Sequence, residues 1–138
     1  MNSKIVSLES IKKINKNKKI ALVHGVFDVF HLGHKRHLDI ASKYGDVLVV
    51  SITTDKFVNK GPGRPVFNQD HRAELIASLA VVDFVYINDA ETPINIIKTI
   101  KPSFYIKGND YKNLKKDFTG NILKEKRAVE SNNGSIIF

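Results

Sequence analysis

Apolar residues in this chain fall into short blocks whose period switches between two patterns. Lys19 to His24, with Ile20-Ala-Leu-Val23, and Asp46 to Thr53, with Val47-Leu-Val-Val50, are apolar at consecutive positions through their middles, as in strands buried on both faces. Shorter blocks at 84–87, 103–107 and 135–138 predict three more strands. Between them the apolar positions recur at helical spacing. This predicts helices over 5–18, 32–44, 68–80, 92–100 and 119–131. In 32–44 the buried side is assigned to Leu38, Ile40 and Ala41, with Gly45 as the C-cap. In 68–80 it is assigned to Leu75, Ile76 and Leu79, with Asn68 as the N-cap. Thr92-Pro93 places a proline in a helix's first turn. The segment 54–67 holds Gly61-Pro-Gly-Arg-Pro65, too many breakers for regular structure. Strands alternating with helices at these lengths predict an α/β fold, a doubly wound, Rossmann-like parallel sheet with helices on both faces. Ligands of such sheets lie beyond the carboxyl ends of the strands, at the switch point of strand order.

The most informative stretch is His24-Gly-Val-Phe-Asp-Val-Phe-His-Leu-Gly-His34, which joins the first strand to the helix after it. A helix N-terminus presents unpaired N–H groups and the positive end of its dipole, a setting for an anion. His31 and His34 are three apart and share a helical face, so both imidazoles can converge on one phosphate. Gly33 between them leaves room for a ligand to approach the backbone. Asp28 has two readings: it orders the turn by accepting N–H bonds, or it touches ligand. Arg72 lies in the first turns of its helix, where a cation opposes the dipole, and this conflict points to an anionic partner.

Gly25-Val-Phe-Asp28 followed by His31-Leu-Gly-His34 resembles the signature of the HxGH nucleotidyltransferases, the cytidylyltransferase-like family. The resemblance implies attack by a phosphorylated acceptor on the α-phosphorus of a nucleoside triphosphate, with loss of pyrophosphate. It gives His31, His34, Lys60 and Arg72 catalytic roles on the phosphates. It places Gly25, the backbone of Val26 and Phe27, and Gly33 along the nucleotide. Lys107-Gly-Asn-Asp-Tyr111 resembles the nucleotide-side motif, so Lys107, Gly108, Asp110 and Tyr111 are expected on the nucleotide. Asp28, Asp55 and Arg64 are expected on the acceptor substrate, and Gly61 in a loop that covers the site. His24 closes a strand and His37 sits on a helix without an assigned role; relatives carry a small polar residue at His24, which leaves a substrate contact open there.

One branch of the family matches further, through the Lys60-Gly…Arg64-Pro-Val66 loop and Lys107-Gly-Asn-Asp-Tyr111. It is the adenylyltransferase domain of bifunctional heptose kinase/adenylyltransferases. The expected reaction is therefore transfer of a nucleoside monophosphate from ATP or CTP to a phosphorylated sugar, a heptose 1-phosphate in that branch. Glycerol-3-phosphate or other polyol-phosphate cytidylyltransferases and archaeal-type FAD synthetases are alternatives. A nucleotide-sensing domain without chemistry is an alternative of another class. The resemblance further implies Mg²⁺ arriving with the triphosphate, a homodimer, fusion to a further domain, and a triphosphate-holding segment past Phe138.

Composition bounds these readings. With 138 residues the chain is expected to be one domain, 1–18 being an N-terminal extension. That length suffices to bury about two-thirds of the unfolded surface. It has no cysteine, which excludes disulfides and thiolate metal sites and fits a cytoplasmic setting. No apolar run approaches the ~20 residues of a membrane span, and no signal peptide is apparent. The net charge of +8 sits largely in three lysine-rich stretches, at 12–19, 112–116 and 124–127. Without a groove-reading element, this charge is assigned to a solvated surface and a polyanion site, with no nucleic-acid or membrane partner.

Overall fold

A computed structural model describes residues 2–14, 16–58, 61–108 and 121–138. Five strands form one parallel sheet: β1 (Ile20–Gly25), β2 (Val47–Thr53), β3 (Phe84–Asn88), β4 (Phe104–Ile106) and β5 (Ser135–Ile137). Their order is β3-β2-β1-β4-β5, so the chain builds outward from β1 to one side and then returns to build on the other. The switch point is the crevice where the carboxyl ends of β1 and β4 diverge. The helices are α1 (Leu8–Lys12), α2 (Leu32–Ala41), α3 (Gln69–Ala77), α4 (Ile94–Ile100) and α5 (Asn121–Glu130).

Side chains alternate across a strand, and here both faces are apolar, so each face has its own core. Ala21, Val23, Leu48, Val50 and Ile52 pack with Leu38 and Ala41 of α2 and Ala73, Ile76 and Ala77 of α3. Ile20, Leu22, Val47, Val49 and Tyr105 pack on the other face with Ile11, Ile96, Ile97, Ile100, Ala128 and Val129. Doubly wound architecture follows from this division, since neither face of β1 or β2 can be left to water.

Several local expectations are corrected. The helix predicted over 5–18 is only the short α1, where Ser7 accepts from Ser10 N at 3.3 Å. Ile40 is 55% exposed and Leu75 41% exposed, although both have apolar spacing. α3 instead buries Arg72, Ala73, Ile76 and Ala77. Ser42, not Gly45, caps α2; a Cβ at Gly45 would lie 2.7 Å from the Lys19 carbonyl, so close packing requires glycine there. Pro93 stands at the N-cap of α4 rather than inside its first turn. The Asn68 cap forms as expected, its Oδ1 accepting from His71 N at 2.8 Å. No helix among the described residues is long and apolar enough to cross a membrane.

Candidate active site

The turn from β1 into α2 adopts left-handed backbone at two residues that carry side chains, Phe27 (φ 54°) and Val29 (φ 49°). For a β-branched residue this conformation is strained, and such strain collects where a site dictates the backbone path. Gly25 is needed at close quarters: a Cβ there would meet the Phe27 ring at 3.0 Å.

His31 is the N-cap of α2, and its Nδ1 accepts from Gly33 N at 3.0 Å. His34 answers from the third helical position, its Nδ1 accepting from His31 N at 3.2 Å. This is the reciprocal geometry of a capping box, with imidazoles in place of hydroxyl and carboxylate. A ring that accepts at Nδ1 carries its proton at Nε2, so both histidines are set as Nε2–H donors. The rings stack at 3.9 Å between centroids, and Phe27 and Phe30 brace His34 at 5.6 and 5.4 Å. Gly33 also serves the neighbouring imidazole. A Cβ there would lie 2.8 Å from His31 Cε1, so the missing side chain makes room for the His31 ring.

His34 opens onto a cavity of about 350 Å³ at the β1/β4 switch point, lined also by His24, Gly25, Phe27, His37 and Lys107. Val26, Asp28, Thr53 and Gly108 complete the wall beside these. A larger cavity of about 430 Å³ lies beside α1 and α4, at the amino ends of β1 and β4. It holds lysines and isoleucines but no histidine, and it is far from the switch point, so the smaller cavity is the chemical one.

Two cavity residues were passed over in the sequence. His24 shares hydrogen bonds with Ser51 Oγ (2.9 Å) and Thr53 Oγ1 (3.4 Å). Burial first, and then the charge of Lys107, push its pKa down to about 3, so it is neutral in use. The same two causes hold the His37 imidazole below its ordinary value. His37 was legible in principle: it follows His31 and His34 at three-residue spacing on one helix face.

Asp28 takes the ordering role of its two readings, across a long span of sequence. Its carboxylate accepts from Val66 N (2.7 Å), Phe67 N (3.0 Å) and Arg64 Nε (2.8 Å). Burial alone would raise its pKa. The N–H groups of Phe67 and Val66 and the charge and hydrogen bond of Arg64 outweigh burial, and hold the carboxyl below 3.8. A carboxyl depressed by folding stabilises the fold above its unfolded pKa, and that contribution is lost as pH falls through the folded value. The urea stability of the protein should therefore drop below a pH of about 4, and Asp28→Asn should be less stable at pH 7 with a smaller acid-dependent loss. Parallel pH curves for the two proteins would contradict this.

Arg72 does not reach the cavity wall. Its guanidinium, 1% exposed, donates to the carbonyls of Phe67 (2.9 Å), Val26 (2.8 Å) and Thr53 (2.8 Å) and to Asp55 Oδ1 (2.7 Å). The anion that its position called for is Asp55 of the same chain. Arg72 thus ties the β1 turn, the end of β2 and the 64–67 segment together from behind the cavity. Asp55 and Arg64, both expected on substrate, are here engaged with Arg72 and Asp28. Gly108 has open space around it, as a nucleotide resting on backbone would need. Lys60, Asp110 and Tyr111 lie outside the described residues.

The sequence model of the cytidylyltransferase-like family matches residues 22–136. The bifunctional protein HldE of Aliarcobacter butzleri (strain RM4018) is 43% identical over 137 residues, covering 94% of this chain and 28% of that protein. HldE of Helicobacter pylori (strain ATCC 700392 / 26695) is 37% identical over 134 residues, covering 95% and 29%. The chain thus spans under a third of the length of these curated relatives. Among solved structures, the lipopolysaccharide core biosynthesis protein from Thermoplasma volcanium GSS1 superposes with a TM-score of 0.69 at 25% identity, over 87% of this chain and 93% of that one. Pantoate-beta-alanine ligase from Francisella tularensis shares the fold alone, with a TM-score of 0.65 at 17% identity over 96% of this chain and 65% of that one. From the first strand to the last, then, this chain belongs to the cytidylyltransferase-like family.

Proposed function

We propose that the chain is a nucleotidyltransferase that joins a nucleoside monophosphate to a phosphorylated sugar, as a sugar (heptose) 1-phosphate adenylyltransferase. One phosphate oxygen of the acceptor forms a bond to the α-phosphorus of the triphosphate. The bond from that phosphorus to the bridging oxygen breaks, and pyrophosphate leaves with the electron pair. Such a displacement needs positioning and charge stabilisation more than covalent help from the protein. His31 and His34 supply it as Nε2–H donors to the phosphates, backed by the positive end of α2. Lys107 adds a cation on the opposite wall, and Gly108 lets the nucleoside rest against backbone. In this reading Arg72, Asp28, Asp55 and Arg64 shape the site, while Lys60, Asp110 and Tyr111 contact ligand.

The observation that carries the reading is the pair of stacked imidazoles whose Nδ1 atoms are both used in capping α2, with His34 of the pair lining the switch-point cavity. Asp28, the one carboxylate among the described residues lining the cavity, has both oxygens engaged, so it does not fit as a metal ligand. Magnesium would come bound to the triphosphate, where it neutralises charge. We place the protein in the cytoplasm as a homodimer, acting alone or joined to a further domain.

The deciding experiment measures pyrophosphate release with ATP and CTP against heptose 1-phosphate, glycerol 3-phosphate and other sugar phosphates. Release with ATP and the heptose ester is the expected outcome. Release only with CTP and a polyol phosphate would replace the substrate assignment. Tight ATP binding with no turnover on any acceptor would leave a nucleotide sensor instead.

A further inference from the structure

Behind Lys107 lies a group of side chains outside every motif in the sequence. Glu125, on α5, is 6% exposed, and Tyr105, two residues before Lys107 on β4, is fully buried. Tyr105 Oη donates to Glu125 Oε1 at 2.5 Å, and Lys107 Nζ donates to Tyr105 Oη at 3.3 Å. Lys107 Nζ stands 3.6 Å from Glu125 Oε1, an ion pair relayed through the tyrosine hydroxyl. We propose that Glu125 is a positioning residue: acting through Tyr105, it holds the Lys107 ammonium at the cavity wall for the triphosphate. This rests on the reading of Lys107 as a nucleotide contact.

Three observations favour this over a purely structural ion pair. Among the described residues lining the cavity, Lys107 is the one lysine or arginine, so its placement sets the cationic side of the site. Its charge is felt on both neighbouring elements, contributing to the lowered pKa of His24 on β1 and of His37 on α2. Tyr105 and Lys107 share a face of the strand, and that face meets α5. A lysine anchored there cannot swing out to water. Stability does not demand this arrangement, because apolar residues of similar volume replace buried ion pairs at no loss in many proteins.

The test measures binding of ATP with magnesium by calorimetry, and KM and kcat by pyrophosphate release. It compares the wild type with Glu125→Gln, Tyr105→Phe, Lys107→Met and the double variant Glu125→Gln/Lys107→Met. Glu125→Gln should weaken ATP binding and raise KM about tenfold, with kcat less affected. Tyr105→Phe, which keeps the ring and so keeps the fold, should shift KM in the same direction by less. In the Lys107→Met background, Glu125→Gln should cost nothing further, because its effect runs through the absent ammonium. An equal penalty in both backgrounds, or wild-type affinity in Glu125→Gln and Tyr105→Phe, would overturn the positioning role while leaving the nucleotide reading intact. Unchanged affinity in Lys107→Met would overturn both.

Discussion

Replacing His31 by asparagine, or His34 by glutamine, should lower kcat by about 10²–10³-fold while leaving the melting temperature close to wild type. The substitutions are chosen from the geometry. Each histidine does two things at once: Nδ1 accepts a backbone N–H of the first turn of α2, and Nε2–H is left as the ring's donor. Asparagine is among the best N-cap residues, so its side-chain oxygen can take over from His31 Nδ1. Glutamine at the third helical position can reach back to the cap N–H as His34 does. Both variants therefore keep the cap and replace the imidazole Nε2–H by an amide NH₂ that does not stand in its place. Alanine would remove both functions together and confuse a loss of helix stability, about 1 kcal/mol for an N-cap, with a loss of chemistry. Steady-state pyrophosphate release and thermal melts by circular dichroism separate the two. Wild-type turnover in either variant would remove the imidazoles from the reaction. A collapse of the melting temperature would mean that their main task is to cap.

The sequence carried the parts of this site that are local, and lost those that depend on distant partners. The strand, turn and helix around His24 to His34 were legible because apolar run, glycines and helical spacing all fall within one short window. The sheet was legible because both faces of β1 and β2 are apolar, which only a doubly covered strand explains. Ile40 and Leu75 misled because periodicity counts an apolar side chain without asking which face has a neighbour; both sit on the outer side of their helices. Arg72 was expected on an anionic ligand, and Glu125 carried no signal at all. Each occupies a buried helical position, and each is held by partners remote in sequence: Val26 and Thr53 for the arginine, Tyr105 and Lys107 for the glutamate. A buried charge is recognisable only once its partner is known. The Asp28 clamp on Val66 and Phe67 is invisible for the same reason.

Arg72→Met should destabilise the fold by about 2–4 kcal/mol, the cost of removing a buried guanidinium and leaving its acceptors unmet. The loss divides between two kinds of acceptor. Asp55, with its side chain 39% exposed, can turn to water once its partner is gone, so its share is small. The carbonyls of Val26, Thr53 and Phe67 are satisfied by the guanidinium, and a thioether gives them nothing. The buried Thr53 carbonyl left unmet costs about 1–3 kcal/mol, the part-buried carbonyls of Val26 and Phe67 cost less, and together these dominate. Arg72→Lys should recover only part, because one ammonium cannot reproduce a planar fork that addresses three carbonyls and a carboxylate at once. Urea titration of the three proteins reads the effect directly, and ATP titration of the folded fraction reads the other possibility. If Arg72→Met kept wild-type stability and lost nucleotide affinity, the guanidinium would act on the ligand rather than behind it. The buried geometry argues for the reverse: the β1 turn, the end of β2 and the 64–67 segment separate first, and the imidazoles then lose the frame that aims them.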